Sequence, residues 1–496
     1  MNIRHKLNIR LLRINANKTW IKLTILGLTF GLCIIPLGYN IGAYCIQSWD
    51  ESRNVVNAIE MLKNHQWFVR YFDHHPDMWE LKPPFVIWCQ AMAIHFFGLS
   101  EISVRLPSVV FSMGTVFFLI WMSQKITKHI FSGCLASLIL VSSQGYIGEH
   151  VARFGDHDVV LVFFFTVFVG LSYLYFTSPK PIYLIGLFVA LFLGWFTKSI
   201  IIFMSLPGLV IWLLLTNQFI KQLKVKGIWI GSLILITLLF AYYLIREKAS
   251  PDYIHQVWMN ELFGRYFDTS TNYHYQKNEF WYYWLGMLNG RFWPFITLLL
   301  GASFIVIFKR NFTHRRFLVF LIVQSFVFFL ILSAGTKNFW YDVPLYPMAC
   351  LIIAIVWVQL VLSCKPLFLK ILGIGASVLV MFSAYTKTVN YAIAPDPNRD
   401  YPLQSMCYYL KNKLPKLPKA LKIVTTDHPT PLYFYIAKAK KYGAALNIAV
   451  IEDLKMRDTV LLNSSTLRAQ LNLKFKTKTI DKQKQCELIC LEALLN

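Results

Sequence analysis

The residues best suited to carry out chemistry come directly after the first long apolar segment of the chain. Asp50 and Glu51 form an acidic pair there, with Trp49 before the pair and Arg53 after it. A carboxylate at such a position can act as a base toward a hydroxyl or an amine. Simple solvation is the alternative for an exposed acidic pair, and the neighbouring tryptophan and arginine favour the functional interpretation.

A basic turn follows later in the same stretch. Glu80 and Lys82 come before two consecutive prolines, Pro83 and Pro84. Proline restricts the backbone and has no N–H group, so the lysine is presented on a rigid turn. Its compact ammonium group suits a phosphate headgroup. The alternative is a lysine whose aliphatic stem covers apolar surface while its ammonium group reaches water.

A further ionisable group stands at the start of a later apolar run. Asp158 comes directly before residues 159–165, which are all apolar. An ionisable residue at the mouth of a helix bundle is costly, and it is therefore a functional candidate. The alternative is a carboxylate that accepts hydrogen bonds from the free N–H groups at a helix start. His150 and His157 lie nearby, but two histidines without a matched third ligand define no metal site. No metal ligand is assigned, and a divalent metal is left open.

Two more loops carry groups that could bind a phosphate. Arg265 follows Asn260 and precedes an aromatic run at 280–284. Arginine can bind phosphate through two parallel hydrogen bonds. Tyr341 lies in the segment 335–347, and a tyrosine hydroxyl can donate to the same phosphate. The aromatic residues by themselves are most simply explained as a belt at a membrane interface.

The composition places these groups in a membrane protein. Hydrophobic residues make up 56% of the 496 residues and charged residues 15%, whereas a soluble domain is about half apolar and about a quarter charged. A helix of about 20 apolar residues spans ~30 Å of hydrocarbon, and about eleven such helices are predicted here. They cover residues 20–40, 105–122, 130–147, 158–176, 182–197, 199–215, 227–245, 283–308, 317–333, 344–362 and 367–388.

The net charge of +24 also has a membrane explanation, because the Lys and Arg clusters fall at alternate ends of the predicted helices. Such clusters mark the cytoplasmic side. The N-terminus is therefore predicted in the cytoplasm, and its first apolar segment is expected to stay as an anchor because no cleavage site follows it. The outer face is predicted to carry residues 41–104, 246–282, 335–343 and the chain after about 389. No nucleic acid is expected as a partner.

The last hundred or so residues change character and become polar and rich in lysine. Strands are predicted at 421–426, 459–462 and 488–491, and a helix at 430–441 with Gly443 as its C-terminal cap. Two domains follow, a membrane domain at 1–388 and a small soluble α/β domain at 389–496 on the outer face. The lysines are interpreted as a solvated surface, with anionic lipid headgroups as the alternative contact. A disulfide among Cys407, Cys486 and Cys490 is left open.

The ordered set of motifs resembles the polyprenyl-phosphate-dependent membrane glycosyltransferases of GT-C fold, which include protein O-mannosyltransferases and the aminoarabinose transferase that modifies lipid A. The resemblance covers roughly residues 40–350. It rests on Asp50-Glu51 with Arg53, Lys82-Pro83-Pro84 with Trp88, the segment 98–107, Arg153 with Asp158, Thr197-Lys198 before Leu206-Pro207, Asn260 with Arg265, Trp293-Pro294, and Lys337 with Tyr341 and Pro344. The sequence departs from the lipid A branch of this family at one position, directly before the lysine of the Lys-Pro-Pro motif. This departure weakens both the assignment to that branch and any metal site built on a glutamate at that position. The lipid A branch has Glu directly before the lysine of the Lys-Pro-Pro motif, whereas Leu81 stands here and Glu80 comes one place earlier.

The resemblance implies a fold, a reaction and a set of site residues. The implied protein is a multi-pass α-helical enzyme of the bacterial inner membrane, with its C-terminal domain in the periplasm. It would move a sugar, with inversion, from an isoprenyl (undecaprenyl) phosphate donor to a lipid, glycan or protein acceptor such as lipid A. The implied roles are Asp50 as principal catalytic carboxylate, Asp158 as second carboxylate, Lys82, Arg265 and Tyr341 as donor-phosphate ligands, and Glu51, Arg53 and Glu80 as further candidates.

A polytopic transporter or flippase of a lipid-linked substrate is the alternative function. Transporters of this kind tend to carry ionisable residues or Gly/Pro breaks deep within their spans, often in two related halves. The charged candidates here fall mainly at one predicted face, which favours the enzyme.

Overall fold

The computed structural model describes residues 19–263, 279–393 and 402–495. The chain forms two compact units. The first unit comprises Met1–Tyr39, Asp77–Val86 and Ser108–Ile393, and the second comprises Asn40–Pro76, Ile87–Pro107 and Ala394–Asn496. The predicted domain boundary at residue 388 stays a prediction, and the two units are named below by this division.

Long apolar helices dominate the first unit, as the composition predicts. Within the described residues, eight helical segments are long and apolar enough to cross a membrane: Thr19–Gly38, Glu101–Thr127, Asp158–Thr177, Pro181–Leu215, Lys226–Ala249, Arg315–Ala334, Val343–Ser363 and Leu367–Ile393. Three shorter apolar helices are Phe131–Val141 and Phe295–Phe308 in the first unit and Phe85–Phe97, most of which belongs to the second unit. The prediction of a polytopic α-helical protein is confirmed.

Short helices connect these segments. In the described residues they are Gln144–Ile147, Phe219–Leu223, Tyr253–Val257 and Tyr282–Gly286. Short segments of 3₁₀ or π-helix occur at Ser199–Ser205, Trp258–Phe263, Met287–Arg291 and Val343–Leu345.

Four predicted spans differ from the structure. The predicted pair at 182–197 and 199–215 forms one apolar segment, because the tight turn Ser199–Ser205 carries Pro181–Lys198 on into Leu206–Leu215. The predicted span at 283–308 is interrupted before Phe295–Phe308, since Gly290 has a φ of 126° that no continuous helix allows. The predicted span at 130–147 ends as a helix at Val141.

The second unit contains a five-stranded mixed sheet. Its spatial order is Ala445–Ile448, Ala420–Val424, Thr459–Leu462, Cys486–Leu494 and Phe475–Gln483. The first three strands are parallel to each other and the last two are antiparallel to their neighbours. The helices beside them are Pro402–Lys413, Thr430–Ala439 and Ser465–Lys474. The predicted small C-terminal α/β domain is confirmed, and Gly443 has the positive φ of 69° expected of a cap.

The core of the second unit joins residues that are far apart in sequence. Helix Asp50–Asn64 contributes Val55, and the helix Phe85–Phe97 contributes Ile87. Both belong to the same apolar cluster as Leu410 and Leu432 of the C-terminal segment. This unit also contains a two-stranded antiparallel ribbon, in which Tyr71–Phe72 pairs with His75–Pro76. Cys407 and Cys486 are buried here as free thiols, and Cys490 is a half-buried one.

Candidate active site

Glu51 is a buried anchor of the chain in the second unit. Glu51 is 2% exposed. Its two carboxylate oxygens accept hydrogen bonds from Arg105 Nε at 2.6 Å and Nη2 at 2.7 Å, the paired geometry that arginine and carboxylate favour. The backbone N–H of Gln47 donates to the same carboxylate. Because Arg105 also donates to carbonyls in residues 41–45, Glu51 fixes the turn that leads into the helix after Asp50.

Asp50 lies at the start of that helix, where the sequence places the principal carboxylate. Its side chain is half-buried and occupies the first turn of Asp50–Asn64. The positive end of the helix dipole stabilises a carboxylate there. Trp49, directly before it, has a φ of 69° and stacks on His428 at 6.1 Å between ring centroids. The Arg53 guanidinium lies 4.3 Å from the centre of the Phe72 ring. The base role of Asp50 stays a prediction.

The Lys-Pro-Pro turn lies in the first unit. Side-chain hydrogen bonds make it rigid, in addition to its two prolines. The side chain of Asp77 accepts hydrogen bonds from the backbone N–H groups of Trp79 at 3.0 Å and Glu80 at 3.1 Å. Lys82 Nζ then donates to both carboxylate oxygens of Glu80, at 2.8 and 3.0 Å. A metal ion fits Glu80 poorly because the ammonium group of Lys82 already engages both oxygens.

Asp158 pairs with a lysine that is not among the site residues predicted above. Lys198 Nζ lies 2.5 and 2.6 Å from the two oxygens of Asp158, and both side chains are about 3% exposed. Asp158 begins the helix Asp158–Thr177 and Lys198 ends the helix Pro181–Lys198, so the hairpin brings the two helix ends together. The helix dipoles favour a negative charge at the N-terminus where Asp158 lies and a positive charge at the C-terminus where Lys198 lies.

Tyr341 belongs to the same group of side chains. The Lys198 ammonium lies 4.6 Å from the centre of the Tyr341 ring, a cation–π contact. Asp158, Tyr341 and the buried Glu261 line one cavity. Its other walls are mainly apolar and include Leu161, Ile200, Ile201, Met204, Leu332 and Pro344. The charge of Lys82 also acts on Asp158. Asp158 and Tyr341 therefore share one cavity, whereas the predicted phosphate ligand Arg265 lies outside the described residues.

The histidines near Asp158 form a separate polar cluster. His150 Nδ1 lies 2.8 Å from Asp156 Oδ2, and His157 Nδ1 lies 3.3 Å from the other oxygen. Burial raises the pKa of Asp156, but hydrogen bonds and charges from the two histidines outweigh it and hold the pKa well below its usual range. The His150 ring stacks on Trp340 at 3.8 Å between centroids. The sequence assigned no metal ligand and left a divalent metal open, and that question stays open.

A buried ion pair supports the loop that carries Tyr341. Arg291 Nη2 lies 2.6 Å from Asp342 Oδ1, and the hydroxyl of Tyr346 donates to the other oxygen at 3.1 Å. Burial raises the pKa of Asp342 to about 6, although Arg291 opposes the shift. A second cavity of about 260 Å³ borders this pair and is lined by Glu279, Tyr282, Asn289 and Phe339. Tyr341 lines the first cavity, and Phe339 and Asp342 line the second.

Comparisons with known proteins support the family resemblance. A family model described as dolichyl-phosphate-mannose-protein mannosyltransferase matches residues 81–245. This chain is 24% identical over 351 residues to an undecaprenyl phosphate-alpha-4-amino-4-deoxy-L-arabinose arabinosyl transferase of Wigglesworthia glossinidia brevipalpis, covering 67% of this chain and 57% of that protein. It is 26% identical over 188 residues to a putative mannosyltransferase of Bacillus subtilis, covering 38% of this chain and 27% of that protein. The chain thus spans less than two thirds of either relative.

The fold is similar to that of a solved structure along nearly its whole length. The crystal structure of ArnT from Cupriavidus metallidurans bound to undecaprenyl phosphate superposes with a TM-score of 0.68, covering 96% of this chain and 98% of that one at 13% identity. The apo structure of the same protein superposes with a TM-score of 0.67, covering 95% of this chain and 97% of that one. The resemblance to polyprenyl-phosphate-dependent GT-C transferases is thereby confirmed, as is the GT-C fold.

Proposed function

We propose that this chain is an integral membrane glycosyltransferase that moves a sugar from an isoprenyl (undecaprenyl) phosphate donor to an envelope lipid, glycan or protein, with lipid A as one candidate. The observation that carries the proposal is the buried Asp158–Lys198 pair beside Tyr341 at an apolar cavity. Burying two charges costs several kcal/mol per ion before their attraction is counted. A pair of this kind at a cavity wall is more readily explained by chemistry than by stability.

The proposed reaction exchanges one bond at the anomeric carbon for another. An acceptor oxygen or nitrogen forms a bond to that carbon while the bond to the phosphate oxygen breaks, and the departing lipid phosphate takes the electron pair. Inversion follows because attack and departure occur on opposite faces of the sugar. Asp50 is proposed as the base that receives the acceptor proton, which typically contributes about 10²–10⁴-fold.

The groups of the first unit are proposed to stabilise the departing phosphate. Lys82 and Lys198 supply positive charge and Tyr341 a hydroxyl donor, in surroundings of low dielectric where such interactions are strengthened. Asp158 is proposed to orient Lys198 through the hydrogen bonds that it accepts from the ammonium group, and Arg265 is proposed as a further phosphate ligand. The proposed location is the bacterial inner membrane, with the N-terminus cytoplasmic and the C-terminal domain periplasmic.

Mass spectrometry of envelope lipids, glycans and proteins tests the proposal in cells. Strains with the gene, without it, and with Lys82→Ala are compared. The expected result is one sugar mass that disappears from an acceptor on deletion and stays reduced in the Lys82→Ala strain. An unchanged acceptor profile, with a lipid-linked sugar redistributed between the two leaflets, would instead support the transporter or flippase.

A further inference from the structure

Arg246 is a fully buried arginine whose charge faces an aromatic ring. It lies in the last turn of the helix Lys226–Ala249 and is 0% exposed. Its guanidinium carbon lies 4.3 Å from the centre of the Tyr253 ring. Within the described part of the chain no carboxylate pairs with Arg246, so the ring and backbone carbonyl oxygen are what stabilise its charge. Burying an arginine in this way is costly, which indicates that its position is important.

The turn after this helix fixes Tyr253. The helix ends at Ser250, whose N–H donates to the Arg246 carbonyl. Both carboxylate oxygens of Glu247 then accept hydrogen bonds from the backbone, from Asp252 at 2.8 Å and from Ile254 at 2.7 Å. The Tyr253 side chain is buried as a result, with its ring against Arg246.

Arg246 and Tyr253 hold the segment that leads into the Lys-Pro-Pro turn. Arg246 Nη2 donates to the backbone carbonyl of Asp77 at 3.1 Å. The Tyr253 hydroxyl donates to the backbone carbonyl of Leu81 at 2.6 Å. The peptide that carries this second carbonyl is the one that joins Leu81 to Lys82. The end of the helix Lys226–Ala249 and the residues that follow it therefore hold the backbone on both sides of Glu80, directly before the lysine.

We propose that Arg246 and Tyr253 are positioning residues that set the place of the Lys82 ammonium group. They touch the backbone of the turn, and they act on the substrate only through Lys82. The prolines that follow Lys82 lack N–H groups, so the backbone on that side cannot donate hydrogen bonds to hold the turn. That Lys82 binds the donor phosphate rests on the proposed function.

The sharpest perturbation is Tyr253→Phe, because it removes one hydroxyl and keeps the ring beside Arg246. A net hydrogen bond contributes about 0.5–1.5 kcal/mol, which corresponds to roughly a 2–10-fold change in an equilibrium. Tyr385→Phe is the matched control. It removes a tyrosine hydroxyl that donates to the Leu32 carbonyl at 2.8 Å, away from the turn.

The first readout needs no assumption about the reaction. Reductive methylation of the full-length protein in detergent is followed by mass spectrometry of the Lys82 peptide, with exposed Lys180 as internal reference. Tyr253→Phe is expected to raise the relative rate at Lys82 by about 2–10-fold, since the loosened turn separates the amine from Glu80 more often. Arg246→Gln is expected to do the same. Equal Lys82 rates in wild type and both variants would overturn the proposal.

The second readout is the KM for an undecaprenyl-phosphate sugar, measured in a double-mutant cycle. The cycle compares wild type, Tyr253→Phe, Lys82→Ala and the variant with both changes. Tyr253→Phe alone is expected to raise the donor KM by about 2–10-fold and to have almost no effect once Lys82 is removed. A purely structural role would give the same loss in both backgrounds and would overturn the proposal. If the variants change the labelling of Lys82 but the wild-type protein transfers no sugar, the positioning role is supported and the proposed function is rejected.

Discussion

Lys198→Met should destabilise the protein strongly, because it leaves the carboxylate of Asp158 buried without its partner. The two side chains are about 3% exposed and their charged atoms lie 2.5 and 2.6 Å apart. Removing one partner of such a pair costs about 3–5 kcal/mol, whereas replacing both is often neutral or stabilising. The double variant Lys198→Met with Asp158→Asn should therefore recover most of the stability that the single variant loses.

The assay is the free energy of unfolding of the purified protein in mixed micelles, titrated with a denaturing detergent. Lys422→Met is the matched control, since Lys422 lies 2.8 Å from Asp458 but both side chains are about a quarter exposed. Pairs exposed to this extent contribute about 0–1 kcal/mol. The reasoning is refuted if Lys198→Met lowers the free energy of unfolding by less than about 1 kcal/mol. It is also refuted if the double variant is as unstable as the single one, since Asp158 and Lys198 would then not act as a buried ion pair.

Three further predictions concern the base, the topology and the pH dependence. Asp50→Asn should leave the protein folded and lower sugar transfer by about 10²–10⁴-fold, measured with purified protein, and near-normal transfer would make Asp50 a solvated surface group. Ser465→Cys, at an exposed position of the C-terminal sheet domain, should react with a membrane-impermeant maleimide in intact spheroplasts, and labelling only after lysis would reject the periplasmic placement. Burial raises the pKa of Asp342 from its usual 3.8 to about 6, so the folded state binds a proton more tightly than the unfolded state between those values. Wild-type stability relative to Asp342→Asn should then fall as pH rises from about 4 to about 6 and level off above that, and a constant difference across this range would contradict the raised pKa.

The sequence predicts the membrane architecture well because that architecture follows from local composition. The length of an apolar run sets whether a helix can cross the bilayer, whereas the orientation that the charge bias indicates stays a prediction. The interruption before Phe295 was harder to foresee, since a run of apolar residues does not reveal that Gly290 adopts a φ of 126°. The helix Asp50–Asn64 appears in the sequence only as an amphipathic stretch, and its apolar face packs in a core shared with the C-terminal segment.

The candidate site was predictable only where a residue type carries its own signal. Asp158 is prominent because a carboxylate before an apolar run is rare. Lys198 carries a comparable signal, a single lysine between two apolar runs, and an ionisable residue in such a place is a functional candidate by default. Its partner could not be identified before the helix hairpin was known.

Glu51 illustrates the opposite case. Its adjacency to Asp50 suggests a shared catalytic role, whereas its carboxylate binds Arg105, which is 54 residues away in sequence. Arg246 and Tyr253 likewise reach Asp77 and Leu81 across 169 and 172 residues. Contacts of this kind depend on tertiary packing, so no local pattern indicates them.

Sugar transfer by the purified protein tests the central claim most directly. Wild type and the double variant Lys198→Met with Asp158→Asn are reconstituted in equal amounts with a radiolabelled undecaprenyl-phosphate sugar and an envelope extract. Wild type should release undecaprenyl phosphate and label an acceptor. The double variant, folded but without its buried charges, should be slower by about 10²-fold or more. Equal rates for the two proteins, or no release by wild type with any sugar donor supplied, would contradict the account.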